Sequence, residues 1–261
     1  MLTSLKKNHY LIRELVSRDV RSRYVGSLLG IFWSVLNPLV QLILYTVVFG
    51  IILKIRFGED VSTGSFAEFL FCALLPWVAI QESTVRSAVG FIEHSNLIKK
   101  MHFPLETIPS SLVFSAAIHQ LAGTSVFLIV LLARGSLEFQ YFALVVPLFA
   151  VQIVMMLGLA MLISALNVFF RDVAQVIGVA FMLLFWMTPI VYPKAKAEGA
   201  FQLILDLNPL THMVEWYRFA FFGSPEVSLP GLAYWVAFSL MIFVIGRTVL
   251  TRTRRELVDL L

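Results

Sequence analysis

The stretch YFALVVPLFAVQIVMMLGLAMLISAL, residues 141–166, decides the fold class because it contains no charged side chain. An α-helix of roughly 20 apolar residues, rising about 1.5 Å per residue, crosses a bilayer core about 30 Å thick. Apolar stretches of similar character recur along the chain, at residues 31–53, 66–91, 108–133, 173–192 and 230–250. The sequence therefore predicts an all-α, polytopic membrane protein with six transmembrane helices.

The composition supports one membrane domain over residues 1–261. The chain is 59% hydrophobic and 14% charged, whereas soluble domains carry about 25% charged residues. So much apolar surface would not stay in solution, which excludes a soluble enzyme or binding protein. The single cysteine, Cys72, excludes a disulfide within the chain.

Lysine and arginine are distributed unevenly between the connecting segments. They are concentrated before residue 31, in the connection between the second and third apolar stretches, and in the tail after residue 246. These segments fall on the same side of the membrane if the chain crosses it six times. The positive-inside rule places that side in the cytoplasm. We therefore expect both termini to be cytoplasmic.

The segment before the first apolar stretch, residues 1–30, is amphipathic. Apolar residues recur at helical spacing between Leu11 and Val20, and basic residues such as Arg13 and Arg18 fall largely on the opposite side. A helix with this pattern is suited to the membrane interface. Two interpretations remain open, a membrane-surface anchor and a docking surface for a cytoplasmic partner.

A few ionisable side chains lie within the apolar stretches. Glu82 and Arg86 are four residues apart and can pair on one helix face, which lowers the cost of placing charges in a membrane. For His119 we expect one hydrogen bond to a neighbouring helix, with a proton-relay role as the alternative.

Residues 194–223 are too interrupted to cross a membrane and too apolar for a free loop. Short helices that dip part-way into the membrane fit this composition. Asn208-Pro209 predicts a turn between them, because proline disfavours helix at the residue before it. Glu215 and Arg218 can pair at the outer surface. The alternative is an aromatic belt at the membrane interface.

Motifs of soluble enzymes are missing from the sequence. It contains neither the phosphate-binding loop Gly-x-x-x-x-Gly-Lys-Ser/Thr nor the zinc motif His-Glu-x-x-His. An ion-coupled secondary transporter would need carboxylates at the membrane midplane, for which Glu82 is the only good candidate. A membrane-bound glycosyl- or phospho-transferase would need acidic or metal-binding clusters, and the sequence shows none. Both classes remain as weaker alternatives.

Several motifs, in order along the whole chain, resemble those of ABC-transporter permeases that export lipid-linked polysaccharides. They are RYVGSLLG at 23–30 with Trp33 and NP at 37–38, NLIKK at 96–100 before FP at 103–104, NVFFRDV at 167–173, TPIVYP at 188–193 and NP at 208–209. The greatest similarity is to O-antigen exporter permeases of the Wzm type. HMVE at 212–215 and RTRRE at 252–256 are similar to capsule exporter permeases. A capsule or teichoic-acid exporter is therefore the alternative within this family.

The resemblance implies a transport permease of the bacterial inner membrane and not an enzyme. It implies a homodimer with two copies of a separate cytoplasmic ABC ATPase subunit, which binds ATP and magnesium. No cofactor or metal in this chain and no nucleic-acid partner are implied. The implied substrate is a polysaccharide linked to undecaprenyl diphosphate. The implied path is a channel at the dimer interface, walled by the first and fifth spans.

The resemblance also directs attention to particular side chains. Aromatic faces offer sugar rings an apolar platform without fixed charge, so the predicted channel lining comprises Phe32, Trp33, Tyr45, Phe49, Phe181, Phe185, Trp186 and Tyr192. Coupling to the ATPase is predicted for Arg13, Arg18, Glu93, Lys99 and Lys100. Arg23 and Arg171 are expected to receive the lipid diphosphate, with Asp172 beside Arg171 as a helix cap. The predicted outer gate comprises Phe201, Leu205, Asn208 and Pro209.

Overall fold

The computed structural model describes residues 9–22, 32–52, 65–100, 103–223 and 227–261. Arg23 lies outside the described residues, and so do the side chains of Phe49 and Lys100. The described residues are almost entirely helical and contain no β-strand, which confirms the predicted all-α class.

Twelve α-helices follow one another in the described part of the chain. They are α1 His9–Ser22, α2 Trp33–Tyr45, α3 Phe66–Glu93, α4 Ser95–Lys100, α5 Thr107–Arg134, α6 Phe139–Phe142, α7 Val145–Phe169, α8 Val173–Trp186, α9 Gly199–Leu207, α10 Pro209–Phe222, α11 Leu229–Arg252 and α12 Arg254–Leu260. A π-helical segment, Thr46–Ile52, continues α2, and a 3-10 turn, Lys194–Lys196, precedes α9.

Four helical segments of the described chain are long and apolar enough to cross a membrane. They are α3, α5, the continuous segment formed by α6 and α7, and α11. The bounds of these segments lie within a few residues of four predicted stretches. Helices α2 and α8 are shorter, with 13 and 14 residues, and a helix of that length measures about 20 Å. Length alone therefore identifies four of the six predicted spans in the described residues.

Helix α8 ends at Trp186, before the predicted end of its apolar stretch at residue 192. Pro189 cannot donate a backbone hydrogen bond, so the helix does not continue through it. The Asn208 side chain donates instead to the carbonyl of Met187 at 2.8 Å and to the hydroxyl of Thr188 at 2.9 Å. The chain after α8 is thereby bound to the start of α10.

Helix α3 lies at the centre of the helix bundle, where it packs against α5 and α7. Large side chains such as Phe71, Trp77 and Phe91 are buried along its length. Its two ends meet different parts of the chain: Arg86 contacts α1, whereas the ring of Phe69 lies 3.4 Å from the guanidinium of Arg218 in α10. The fold therefore places α1 and α10 at opposite ends of α3.

Helices α7 and α11 approach each other through two glycines. A Cβ added to Gly158 would lie 2.5 Å from the backbone nitrogen of Phe243, and a Cβ added to Gly246 would collide with the carbonyl of Gly158. Such close approach of helix backbones through small residues is typical of membrane helices, whose association depends on van der Waals packing.

A polar cluster joins four helices inside the bundle. Gln152 of α7 exchanges hydrogen bonds with Gln120 of α5 at 2.7 and 3.0 Å, and it accepts a bond from the hydroxyl of Tyr217 of α10 at 2.5 Å. Its amide also donates to the carbonyl of Pro76 in α3 at 3.3 Å. Because these buried polar groups satisfy one another, they specify how the helices pack.

Candidate functional site

An ion-pair network connects α1 with α3 and α5. Both guanidinium nitrogens of Arg86 donate to the carboxylate of Asp19, one of them at 3.0 Å, and the hydroxyl of Ser115 donates to the same carboxylate. Arg86 also lies 3.6 Å from Glu82, as the sequence predicted for this pair. The Nδ1 atom of His119 lies 3.8 Å from the Glu82 carboxylate. Three separate helices are thereby held together at one end of the bundle.

The role of Asp19 was missed by the sequence analysis. The amphipathic pattern indicated a surface anchor or a partner-docking helix, whereas α1 is also bound to the helix bundle through Asp19. A signal was present, because Asp19 follows Ile12 by seven residues and Leu15 by four, and so lies on the apolar face. A carboxylate on the apolar face of an amphipathic helix indicates a buried partner.

A groove runs between α1 and α4. It encloses about 470 Å³ and is lined by Leu11, Leu15, Arg18, Leu97 and Phe103, among others. The side chains of three further predicted coupling residues, Arg13, Glu93 and Lys99, are exposed at this end of the molecule. An apolar groove flanked by charges is suited to bind a protein surface.

A second cavity, of about 220 Å³, lies between α2, α3 and α5. Helix α2 contributes Trp33, Asn37 and Gln41 to its wall, since residues four apart share one helix face. Helix α3 contributes Glu82, and helix α5 contributes His119 and Gln120. Polar and ionisable groups therefore concentrate in a cavity within otherwise apolar helices.

A different charge cluster occupies the opposite end of the bundle, where α9 and α10 meet. The ammonium of Lys194 lies 2.9 Å from Asp206 and 3.3 Å from Glu215. The Nδ1 atom of His212 lies 3.7 Å from Glu215, and its Nε2 atom lies 2.9 Å from the carbonyl of Asp206. Both Glu215 and Arg218 are buried, although the sequence placed them at an outer surface.

The local electrostatics of this cluster favour its charged forms. Burial alone would lower the pKa of Lys194, but the hydrogen bond to Asp206 and the charge of Glu215 outweigh burial and raise that pKa above its ordinary value. The hydrogen bond with Glu215 raises the pKa of His212, against the effect of burial and with help from the carbonyl of Asp206. Among the described residues, no three His, Cys, Asp or Glu side chains are placed to hold a metal ion.

The predicted gate residues have different environments. The Asn208 side chain accepts a hydrogen bond from the backbone of Leu210 at 3.0 Å and so caps α10, which begins at Pro209. Phe201 is 39% exposed and packs on Tyr192 with 5.9 Å between ring centroids. Leu205 is completely buried, so it contacts the protein interior and cannot face a passage.

The predicted channel-lining side chains also divide into two groups. Phe32, Trp33 and Trp186 are exposed, and Tyr45, Phe185 and Tyr192 are half-buried. Phe181 is only 3% exposed because its ring packs edge-on against Trp77 at 5.7 Å. Its packing against Trp77 therefore leaves little of the Phe181 side chain for a channel wall.

The turn between α7 and α8 presents Arg171 to the surrounding medium. Asp172 occupies the N-cap position of α8, as predicted, but its side chain makes no capping hydrogen bond. The side chain of Asn167 supplies that bond instead, accepting from the backbone of Ala174 at 2.9 Å. Arg171 is therefore exposed on a turn whose backbone is held by a neighbouring amide.

Comparison with known proteins identifies the class to which this arrangement belongs. The family of ABC-2 type transporters matches residues 10–222, and the chain belongs to that family, as the resemblance predicted. The chain is 28% identical to the O-antigen export system permease protein RfbA of Klebsiella pneumoniae, over 96% of this chain and 95% of that protein. It is 26% identical to RfbA of Myxococcus xanthus, over 95% and 94%. It is also 26% identical to the polysialic acid transport protein KpsM of Escherichia coli, over 94% and 93%.

Proposed function

We propose that this chain is the transmembrane subunit of an ATP-driven exporter of polysaccharides, in which ATP is hydrolysed by a separate subunit. The observation that carries the proposal is similarity over nearly the whole chain to permeases named for O-antigen and polysialic acid export. The finer proposal is that the substrate is an O-antigen-like polysaccharide linked to undecaprenyl diphosphate. RfbA proteins from two organisms, at 26–28% identity, support the O-antigen part of this proposal. The lipid carrier is proposed from the resemblance of the motifs.

The membrane topology completes six spans by adding α2 and α8 to the four long helices. The π-helical segment Thr46–Ile52 lengthens α2, and both helices expose apolar side chains such as Ile43 and Val176. Such faces suit contact with lipid or with a second protomer. With the basic segments inside, α1 and the C-terminal tail lie in the cytoplasm of a bacterium, and the α9–α10 region lies at the outer surface.

The groove between α1 and α4 is the site at which the ATPase is coupled to the permease. Each ATPase subunit of a homodimeric permease docks there, with its apolar contacts against Leu15, Leu97 and Phe103, which line the groove. The exposed charges of Arg13 and Lys99 orient the ATPase. Asp19 of α1 is bonded to Arg86 of α3 and to Ser115 of α5. A movement of α1 caused by the ATPase is therefore transmitted to these two membrane-spanning helices.

The channel forms where α2 and α8 of two protomers meet, with Phe32, Trp33 and Trp186 towards the glycan. Arg171 is placed to receive the diphosphate of the lipid carrier, since an arginine can bind phosphate oxygens in a bidentate manner. Helices α9 and α10 close the outer end of this channel between transport cycles.

A capsule polysaccharide is the second candidate substrate, favoured by the similarity to KpsM proteins. The two candidates differ in the exported glycan. A transport assay with defined lipid-linked glycans therefore separates them.

The test is reconstitution of the full-length chain in liposomes with its cognate ATPase. Undecaprenyl-diphosphate-linked glycan is added on the ATPase side, and glycan that becomes accessible on the other side is measured. We expect ATP-dependent transfer, which stops when the ATPase carries a substitution of its phosphate-loop lysine. Transfer that continues with this inactive ATPase would contradict the proposal and favour an ion-coupled transporter.

A further inference from the structure

The cavity between α2, α3 and α5 combines Trp33, which the proposed channel lining includes, with polar side chains that this lining does not explain. Trp33, Asn37 and Gln41 face Glu82 and His119 across about 220 Å³. Ionisable residues inside membrane helices are costly, and they commonly mark substrate pathways. This cavity lies next to the network that holds α1, because Glu82 belongs to both.

Two amide side chains on its wall retain their hydrogen-bonding capacity. Asn37 and Gln41 make no side-chain hydrogen bond to any other residue in the described part of the chain, and both are exposed. Each amide carries two N–H donors and one carbonyl acceptor. In a membrane these groups have little water to bind, so a ligand with both donors and acceptors is the partner that satisfies them.

The charge of this region selects against an anionic ligand. Among the described residues, the adjoining network contains the carboxylates of Asp19 and Glu82 and the guanidinium of Arg86, which donates to Asp19 and lies 3.6 Å from Glu82. A phosphate group in the cavity would therefore be repelled by the Glu82 carboxylate. An uncharged polyhydroxyl group would meet hydrogen-bonding partners without such repulsion.

The indole of Trp33 completes the chemistry of the cavity. It is 37% exposed and borders the cavity at the same helix face as Asn37 and Gln41. An aromatic face packs against the apolar C–H groups of a sugar ring, while amides and carboxylates bind its hydroxyls. The volume is sufficient for a single sugar ring and too small for a folded oligosaccharide.

We propose that this cavity binds one uncharged sugar ring of the exported glycan. This inference rests on the proposed function and extends it to side chains outside the aromatic lining. One ring held by a few hydrogen bonds is released readily, so the site engages the polymer without arresting its movement. A phospholipid chain would use none of the polar groups on the wall.

Photo-cross-linking tests the occupant directly. The full-length chain is produced in its native host with p-benzoylphenylalanine at position 41, in cells whose ATPase is inactive so that the glycan stays engaged. The matched control carries the same probe at Ile43, which is exposed on another face of the same helix. We expect a glycan adduct at position 41 and no glycan adduct at position 43, where lipid or a second protomer is the expected neighbour. A phospholipid adduct at position 41, a cross-linked second copy of the chain, or equal glycan labelling at both positions would overturn the proposal.

A double variant tests the amides, which are exposed and so contribute little to folding. We expect Asn37→Leu with Gln41→Leu to lower the initial rate of export about tenfold at limiting glycan, because two hydrogen bonds to the ring are lost. Ile43→Leu serves as the matched control and should export normally. Normal export by a double variant that inserts into the membrane would exclude the sugar site and leave the proposed function intact. Absence of glycan export by the wild-type chain would contradict both. If the double variant fails to insert, Gln41→Glu keeps the side-chain shape and should also lower export by losing the amide donors.

Discussion

Charges at the two ends of the helix bundle are organised in different ways. At the α1 end, Asp19, Arg86 and Ser115 come from three helices that are far apart in sequence. At the α10 end, Lys194, Asp206 and Glu215 belong to one continuous segment. The first arrangement connects separate helices, so a displacement of α1 must pull on α3 and α5. The second connects neighbouring elements of one segment, whereas α10 itself is held to the rest of the bundle by Tyr217 and Arg218.

The largest effect is expected when the connecting network is broken. Arg86→Met removes the cationic partner of Asp19, whose side chain is only 16% exposed. The pair is part-buried, since the Arg86 side chain is 34% exposed, so breaking it should cost less than the about 3 kcal/mol of a fully buried pair. We expect both the unfolding temperature of the purified permease and its export activity to fall. Arg18→Met is the control, because Arg18 is an exposed arginine of α1 and should change stability by less than about 0.5 kcal/mol. Equal stability of the two variants would show that the ion-pair network of Asp19 and Arg86 does not hold α1 to the bundle.

Charge reversal in α4 should lower export without lowering stability, whereas charge reversal at the α10 end should change neither. Lys99→Glu with Lys100→Glu reverses the charge at the proposed docking site of the ATPase, and unfavourable charge contacts at an interface weaken binding. We expect insertion and ATP hydrolysis to persist while export falls about tenfold or more. Lys196→Glu, an exposed residue at the α10 end, should leave coupling unchanged. Normal export by the α4 variant at normal expression would exclude these lysines from the coupling surface.

Much of the architecture was predictable, because length and apolarity are properties of local sequence. The predicted stretches at 66–91 and 108–133 correspond to helices Phe66–Glu93 and Thr107–Arg134. What local sequence does not contain is the direction in which an almost uniformly apolar helix packs. The sequence therefore predicted the position of Phe181 in α8 correctly but placed the side chain towards a channel, whereas it is buried against Trp77.

Hydrogen-bond partners that are distant in sequence could not be predicted from local sequence either. Arg86 was matched to Glu82 from the spacing of four residues, but its bidentate partner, Asp19, lies 67 residues away. The same limit explains the start of α8, where Asp172 was expected to cap and Asn167 does so. In both cases a polar group was recognised, and the tertiary packing that selects its partner was not.

Two matched variants distinguish an exposed face of α9, proposed to seal the channel, from a buried face that stabilises the protein. Phe201 and Ile204 are partly exposed on α9, whereas Leu205 is completely buried. We expect Phe201→Ser with Ile204→Ser to give an ion leak in cells without ATPase activity, because polar side chains no longer exclude water from a constriction. Leu205→Ser should instead destabilise the permease by about 3 kcal/mol. An unchanged conductance for the first variant would leave α9 as an interfacial anchor.

Substitutions of Arg171 test whether this residue binds the diphosphate of the lipid carrier at the α1 end of the molecule. It is exposed on the turn between α7 and α8, so Arg171→Ala should leave the unfolding temperature within about 1 °C of the wild type. We expect transport of diphosphate-linked glycan to fall several-fold and to recover only partly in Arg171→Lys, which keeps the charge but loses the bidentate geometry. Full transport by the alanine variant would exclude the anion-receiving role.

The smallest effect should appear on changing pH at the α10 end. Because Glu215 raises the folded-state pKa of His212 above its ordinary value of 6.5, the interaction stabilises the protein fully below that value. It is lost as the pH rises through the higher folded-state pKa. The unfolding temperature of the wild type should therefore decline over this interval relative to His212→Gln, which cannot be protonated. The α1 end offers the internal control, since protection of α1 from proteolysis should be the same in both proteins at each pH. Parallel unfolding temperatures of the two proteins across the interval would show that the His212–Glu215 contact contributes nothing to the cohesion of α9 and α10.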